Sequence, residues 1–228
     1  DPDMALATHN HNLADLTEKS HASLTNVTAD QHHREWGWAD EQPSRHGIFI
    51  PYAFTKSWIK DVKVLSVGAS GSWDDYTVTH PDILKVGDTY YLYYTGRPDD
   101  DWTHTRIGLA TSTDGVSFTK HPSCNPIPLP SGFDAMFYPS VIYDLYESDA
   151  NKRWKMVCMG HNISLNAWRL IVMYSSDGIT WTYWKTPTQP SGFVDHPSAV
   201  RIGNSFFVLY SNNASPTSLS LCAYDKDF

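Results

Sequence analysis

A proline-centred unit recurs every 58 residues along this chain. Its three copies are HPDIL at 80–84, YPSVI at 138–142 and HPSAV at 196–200. Self-similarity at a fixed period is typical of repeat architectures, in which each copy forms one supersecondary unit and neighbouring units stack to bury a common core. The chain is therefore expected to fold as a series of similar units. Residues at equivalent positions in the copies should then occupy equivalent places.

The segments that follow each copy have the pattern of antiparallel β-strands. Aromatic-rich strand patterns lie at 90–94, 154–158 and 206–210. The first two copies continue to similar turns, STDGVSF at 112–118 and SSDGITW at 175–181, whose Asp-Gly pairs suit a tight hairpin turn rather than a ligand site. Repeats of this length built from short strands are typical of propeller blades. We therefore predict an all-β fold, a β-propeller of four-stranded blades.

The predicted layout has two parts. Residues 1–45 form an extended, histidine-rich stalk and oligomerisation segment, because so polar a composition offers too little apolar surface for a core. Residues 46–228 form the propeller. Its blades are expected at 47–75 (partial), 80–121, 138–184 and 196–228 (partial). A closed ring needs more blades than this, and an open stack would expose strand edges. We therefore expect further strands or C-terminal residues to complete a ring of five blades.

Composition excludes several classes of function. The formal net charge of -8, without a Lys/Arg cluster, argues against binding to nucleic acid. No apolar run approaches the roughly 18 residues of a membrane-spanning helix, so we expect no membrane insertion. Three cysteines do not make a disulfide framework, and we expect them to be thiols, which suits folding in a reducing cytoplasm.

The region 73–228 resembles the five-bladed propellers of the glycoside hydrolase clans that contain arabinanases, β-xylosidases and invertases. The resemblance rests on Pro81-Asp82, on GDTYYLYYTG at 87–96 and on IGLATSTDG at 107–115. It implies a sugar site at the propeller axis. Hydrolases of these clans use an Asp base or nucleophile just before a proline, an Asp after a proline that tunes pKa values, and a Glu acid. Asp82 matches the second of these and is our candidate catalytic residue.

The chain departs from that pattern at the other two positions. The residues before the three prolines are His80, Tyr138 and His196, and no Glu occupies the corresponding segment of the second or third blade. Glycoside hydrolysis requires two carboxyl groups in distinct environments, one protonated and one ionised. We therefore expect either an acid outside this sequence or a site that binds sugar without cleaving it, and we favour the latter.

Residues at the start of each inner strand should converge at the mouth of the central funnel. Carboxylates and aromatic side chains repeat just upstream of each proline, and this combination suits a neutral or cationic glycan, since rings stack on sugar C–H surfaces and carboxylates accept hydroxyl hydrogens. The predicted glycan-binding residues are Trp73, Asp74, Asp75, Tyr76, His80, Asp134, Tyr138, Asp195 and His196. The alternative for each is structural, with the acids capping turns and the aromatic side chains filling gaps between blades.

The N-terminal segment resembles the histidine-punctuated stalks of tailed-bacteriophage fibre and baseplate proteins. The resemblance rests on THNHNLADL at 8–16 and SHASLTNVTADQHH at 20–33. It implies a homotrimeric virion tail protein, made in the host cytoplasm, that docks on other phage tail proteins. In a parallel trimer, the paired imidazoles of His9 and His11 could surround one metal ion. The alternative is that both are solvated residues of a tether. We expect no other certain cofactor.

Three functions follow from this interpretation. Our preferred hypothesis is a phage tail-fibre or tail-tip subunit whose propeller binds a bacterial surface polysaccharide without cutting it. The second is a glycan depolymerase, a glycoside hydrolase on the same virion framework. The third is a structural adaptor that packs between other virion proteins. The acidic run at 99–101 could also hold calcium, although a solvated loop tip is the stronger interpretation.

Overall fold

The structure, a computed structural model, describes residues 62–188, 194–212, 218–225 and 227–228. The predicted stalk, including His9 and His11, lies outside the described residues. Three antiparallel sheets follow one another along the described part of the chain. No helix there is long and apolar enough to cross a membrane.

Within the described residues, two sheets have four strands and one has three. Blade 1 consists of β1 (Thr77–Val86), β2 (Thr89–Arg97), β3 (Arg106–Ser112) and β4 (Thr119–Lys120). Blade 2 consists of β5 (Phe133–Tyr143), β6 (Trp154–Asn162), β7 (Ala167–Ser175) and β8 (Thr182–Lys185). Blade 3 consists of β9 (Val194–Ile202), β10 (Ser205–Asn212) and β11 (Ser218–Asp225). Each strand pairs with the next in sequence, which is the up-and-down order of a propeller blade.

The predicted β-propeller fold is confirmed. The first strand of each blade is the innermost one, and β5 packs between β1 and β9. A partial blade was predicted at 47–75. The described part of that segment, residues 62–75, contains no strand. Instead Leu65 and Trp73 from this segment pack against blade 1. The expected total of five blades stays a prediction.

The boundary between blades 1 and 2 is an apolar core. Strand alternation sends Tyr93 of β2 toward blade 2 and Tyr94 to the opposite face of blade 1. Tyr93 is fully buried, contacts Trp181 with ring centroids 5.8 Å apart, and donates a 2.6 Å hydrogen bond to the carbonyl of Gly178. A second apolar cluster, with Val157 of β6 and Val208 of β10 among its members, joins blade 2 to blade 3.

The two Asp-Gly turns have the structural role predicted for them. In each, the aspartate accepts hydrogen bonds from two following backbone N–H groups, at 2.7–2.8 Å for Asp114 and 2.8 Å for Asp177. These bonds, with those from neighbouring hydroxyl groups, lower the pKa of Asp114 far below its ordinary value. The glycines that follow have φ of 73° and 74°, a conformation that glycine adopts without steric cost.

A buried charge network also links blades 2 and 3. Lys155 is fully buried, and its Nζ lies 3.2 Å from Asp144 and 2.9 Å from Glu147. Arg201 of β9 reaches across the boundary to Asp144 at 3.0 Å. Because unpaired charges at this depth are costly, these side chains fix the two blades relative to one another. Glu147 is thus part of a structural network on the hairpin between β5 and β6.

A hydrogen bond in the same register crosses both boundaries between innermost strands. At the first boundary the carboxylate of Asp82 accepts a 2.5 Å bond from the backbone N–H of Val141. At the second, the hydroxyl of Ser140 accepts a 2.8 Å bond from the N–H of Ala199. Asp82 and Ser140 both directly follow the repeated proline. The candidate catalytic residue Asp82 therefore joins two blades, in the place where the next blade uses a serine.

We predict that Asp82→Ala destabilises the protein by about 1–3 kcal/mol, because it leaves the buried N–H of Val141 unpaired. Asp82→Asn should retain most of the stability, since an amide oxygen can accept the same bond. Ser140→Ala should show the corresponding loss at Ala199. Urea denaturation of the three variants measures these changes. An Asp82→Ala variant that unfolds at the wild-type midpoint would contradict the proposed inter-blade bond.

Candidate functional site

The innermost strand of every blade is interrupted at its proline. The pairing register shifts between Thr79 and Asp82 and between Phe137 and Ser140, and blade 3 has the same irregularity at His196-Pro197. Proline has no N–H to donate to the strand ladder, so the chain bulges at this point. A bulge re-aims the side chains beside it, and here it occurs at the same point of three neighbouring strands.

The residue before each proline has a left-handed backbone. The φ angles of His80, Tyr138 and His196 are 49°, 53° and 49°. Positive φ is uncommon for residues other than glycine, and a following proline restricts the backbone further. Three such residues at equivalent positions indicate a conformation that the fold imposes. Strain of this kind concentrates at functional sites.

These three side chains meet at the propeller axis, as the sequence predicted. The rings of Tyr138 and His196 stack with centroids 3.9 Å apart and an angle of 27° between their planes. His80 packs edge-on against both, at 4.3 Å from Tyr138 and 5.2 Å from His196. The three rings therefore form one cluster, with one residue from each blade.

Asp195 adds a carboxylate to this cluster. Its Oδ1 lies 3.0 Å from Nδ1 of His196 and also accepts a 3.0 Å bond from the backbone N–H of that residue. The hydroxyl of Tyr138 hydrogen-bonds to Asp195 as well. We call His80, Tyr138, Asp195 and His196 the axial cluster. Its three rings and its carboxylate provide stacking surfaces, hydrogen-bond donors and acceptors within one small region.

Burial shapes the protonation of the axial cluster. Burial, and then the neighbouring imidazole of His196, lower the pKa of His80, while Asp195 opposes the change. Burial and the Asp195 carboxylate raise the pKa of Tyr138 to about 12, and the positive charge of Arg97 partly opposes this. The phenol is therefore protonated at neutral pH and donates its hydrogen, whereas His80 favours its neutral form.

Blade 1 contributes an aromatic and cationic rim next to the axial cluster. The guanidinium carbon of Arg97 lies 4.1 Å from the ring centroid of Trp102 and 5.4 Å from that of Tyr76. Trp102, in a short 3-10 turn (Trp102–His104), stacks on Phe137 at 5.7 Å and keeps 52% of its surface exposed. Tyr76, one of the predicted glycan-binding residues, is also exposed.

Blade 2 contributes an Asp–His pair at the same end of the strands. Nδ1 of His161 lies 2.7 Å from Oδ1 of Asp134, another predicted glycan-binding residue. The ring of His161 contacts Trp168 at 4.7 Å, and Trp168 contacts Phe137 at 5.0 Å. Asp134 therefore lies outside the axial cluster, and the rings of His161, Trp168 and Phe137 connect it to Tyr138.

Three predicted residues lie elsewhere. Trp73 stacks on Tyr94, on the face of blade 1 that points away from blade 2. Asp74 is 1% exposed and accepts hydrogen bonds from Tyr94 at 3.0 Å and from Lys120 at 2.5 Å. Asp75 accepts a bond from the N–H of Gly71. Trp73 and Asp74 hold the segment before β1 against blade 1, and Asp75 closes a turn within that segment, so the observed contacts are those of the structural alternative.

The acidic run after β2 is a self-contained loop. Asp99 pairs with His104 at 2.7 Å, and Asp101 caps the short turn by accepting a bond from the N–H of Thr103. Asp100 pairs with Arg97 at 3.2 Å. In the described part of the chain, no group of three or more His, Cys, Asp or Glu side chains is arranged to hold a metal ion. The three cysteines are thiols, as expected.

Sequence reasoning did not identify Arg97, Trp102, His161 and Trp168 as neighbours of the site. None of them belongs to the proline-centred repeat. All four lie at the end of the blades where the inner strands begin: Arg97 and His161 at the ends of β2 and β6, Trp102 in the loop after β2, and Trp168 at the start of β7. The sequence did contain a signal for Trp102, since it lies in the loop between β2 and β3, and loops at this end of a propeller surround the funnel.

Comparison with known proteins identifies the fold. Neither a protein-family model nor a curated protein sequence gives a significant match. Among solved structures, a family 117 glycoside hydrolase from Zobellia galactanivorans aligns with a TM-score of 0.56 and 16% identity, over 72% of this chain and 57% of the hydrolase. The endo-arabinase from Bacteroides thetaiotaomicron aligns with a TM-score of 0.54 and 14% identity, over 72% of this chain and 62% of that enzyme.

A putative glycoside hydrolase from Bacteroides ovatus aligns with a TM-score of 0.50 and 15% identity, over 68% of this chain and 49% of that protein. The present chain thus spans less than two thirds of the length of each of these proteins. At such low identity the likeness establishes a shared architecture, a β-propeller of the kind seen in glycoside hydrolases.

We predict that His196→Gly is more stable than His196→Ala by about 0.5–1 kcal/mol. Both changes remove the imidazole, but glycine tolerates a φ of 49°, whereas alanine retains most of the strain. The greater freedom of glycine in the unfolded chain offsets part of this gain. Chemical denaturation of the two variants side by side measures the difference. Equal stability, or a more stable alanine variant, would show that the left-handed backbone at this position carries no strain.

The lowered pKa of His80 predicts a specific pH dependence of stability. In the unfolded chain His80 titrates near its ordinary value of 6.5, whereas the folded protein resists protonation to lower pH. The stability that neutral His80 contributes to the folded state is therefore fully present above pH 6.5, and it is lost as the pH falls through the pKa of His80 in the folded protein. Between pH 7.5 and 5, the wild type should lose more free energy of unfolding than His80→Asn does. Parallel pH profiles would contradict this environment for His80.

Proposed function

We propose that the protein is a glycan-active propeller, which binds a sugar unit at the axial cluster and hydrolyses the glycosidic bond next to it. The observation that supports this most directly is the convergence of His80, Tyr138 and His196 on the carboxylate of Asp195. Sugar sites combine flat apolar surfaces with hydrogen-bonding groups of both kinds, and the axial cluster offers both. The propeller fold adds a compatible framework, since it resembles that of glycoside hydrolases.

In this proposal Asp195 is the ionised carboxylate of the reaction. Tyr138, whose pKa is raised to about 12, donates a hydrogen bond that orients this carboxylate at neutral pH. Glycoside hydrolysis also requires a general acid that protonates the leaving-group oxygen as the glycosidic bond breaks. We assign the proton transfer to the imidazole of His196, which lies against Asp195, because imidazole is the side chain that most often serves as a general acid or base.

A second candidate is binding without cleavage, which was our first hypothesis from the sequence. The number of carboxylates favours it, because glycosidases generally use two and the axial cluster contains one, Asp195. Asp195 bonds to the rings of the axial cluster, whereas Asp82, the residue that matched the hydrolase pattern, bonds across the blade boundary to Val141. A site of this composition could retain a surface glycan and leave it intact.

We also propose a biological setting for either activity. The resemblance of the first 45 residues to phage stalks supports a homotrimeric tail-fibre or tail-tip protein of the virion, attached to other tail proteins and directed at a bacterial surface polysaccharide. A metal ion held by His9 and His11 of three chains belongs to this proposal. These residues lie outside the described part of the chain, so the support comes from their sequence.

The test is to incubate the purified full chain with a panel of bacterial surface polysaccharides and to measure both retention and new reducing ends. We expect the wild type to release reducing ends from at least one polysaccharide. Asp195→Asn should lower that rate by about a hundred-fold or more, the range in which positioned acid–base groups act. Asp149→Asn is the control, because Asp149 caps a turn at the other end of blade 2 and asparagine caps equally well.

The outcomes separate the two candidates. Retention without new reducing ends, abolished by Asp195→Asn, would establish the binding function and exclude hydrolysis of those glycans. Release of reducing ends that Asp195→Asn leaves unchanged would contradict the assigned site. A wild type that neither retains nor cleaves any polysaccharide of the panel would contradict the glycan proposal as a whole.

A further inference from the structure

Two tryptophans from different blades flank one buried side chain beside the axial cluster. Phe137 is 1% exposed and directly precedes Tyr138 on β5. Trp102 of blade 1 stacks on it at 5.7 Å, and Trp168 of blade 2 meets it edge-on at 5.0 Å. The ring of Phe137 is also 5.5 Å from that of Tyr138. A continuous set of aromatic contacts thus runs outward from the axis along the boundary between blades 1 and 2.

Polar groups accompany each tryptophan. On blade 1, Arg97 lies against the ring of Trp102, and its charge reaches Tyr138, where it partly offsets the rise in pKa. On blade 2, the pair Asp134 and His161 lies beside Trp168. We call Trp102, Trp168, Arg97, Asp134 and His161 the tryptophan rim. It presents a cation on one side, a carboxylate on the other and aromatic surface on both.

The exposure of Trp102 is not explained by packing alone. Its indole is held in place by Phe137 and Arg97, yet 52% of its surface remains exposed. An aromatic side chain that is fixed in position and open to solvent is suited to contact a ligand, because little conformational entropy is lost on binding. Since its neighbour Phe137 adjoins Tyr138, this surface continues the axial cluster outward instead of forming a separate patch.

We infer that the tryptophan rim is a second sugar subsite, and that the protein therefore acts on a glycan chain rather than on a single sugar or a short terminal glycoside. This inference rests on the proposed function, since it extends the site at the axial cluster. One sugar residue occupies the axial cluster. The next sugar residues along the glycan lie against Trp102 and Trp168. Arg97 and Asp134 contact the hydroxyl groups of these sugars.

The test is binding to a glycan array that carries linear oligosaccharides of one to six units on several backbones. For the backbone that binds, we expect affinity to increase over the first few units and then to level off. Trp102→Ala should abolish most of that increase, about a ten-fold loss of affinity for the longer oligosaccharides, as is typical of an interfacial tryptophan. The loss should be smaller for the shortest oligosaccharide that binds, because that ligand occupies the axial cluster. Trp102→Phe should restore part of the gain.

Tyr146→Ala is the matched control. Tyr146 is an aromatic residue with 75% exposure, and it lies on the hairpin after β5, at the opposite end of the strands. Its removal should leave the dependence on chain length as in the wild type. Trp168→Ala should act like Trp102→Ala, because the glycan lies against both tryptophans. Circular dichroism and thermal unfolding of each variant separate loss of a contact from loss of fold.

The results that would contradict the second subsite differ from those that would contradict the proposed function. Short oligosaccharides that bind and are lost with Asp195→Asn, but gain nothing with length, would contradict the second subsite and leave the axial site standing. The same holds if Trp102→Ala keeps the full gain with length. An array on which the wild type binds nothing would contradict the proposed function itself.

Discussion

The site depends on one backbone feature, the bulge that each blade forms at its repeated proline. Proline cannot donate to the strand ladder, and the residue before it takes a left-handed conformation that costs on the order of 1–3 kcal/mol. His80, Tyr138 and His196 all have this conformation. In an undistorted strand, each of these side chains would point to a face of its own blade. The bulge instead directs all three to the axis, where one contact surface forms from residues 58 positions apart.

The interactions that hold the blades together make this conformation sustainable. The bonds from Asp82 to Val141 and from Ser140 to Ala199 lie directly after the bulges and join consecutive innermost strands. Farther from the axis, Tyr93 crosses one boundary and Arg201 the other. Because these contacts fix each blade relative to the next, the rings at the axis are held in position before any ligand arrives. Such preorganisation lowers the cost of binding.

The repeat in the sequence was enough to predict the propeller and the meeting of the three residues before the prolines. It was not enough to assign roles to the acids around them. Asp74 and Asp195 occupy similar settings in the sequence, yet Asp74 is buried against Lys120, which is 46 residues farther along the chain. A pairing of that kind depends on the approach of distant segments. Trp102 was missed because it lies in a loop outside the repeat, and His161 because it lies near the end of β6, beyond the proline-centred unit.

The most direct test of this account is a crystal structure of the protein with the longest oligosaccharide that it retains. We expect a sugar ring at the axis, against Tyr138 and His196 and within hydrogen-bond distance of Asp195, with His80, Tyr138 and His196 still at positive φ. A sugar bound on the outside of the blades, with the axial cluster unoccupied, would contradict it. So would extended backbone angles at the three residues before the prolines, because the convergence of their side chains depends on that conformation.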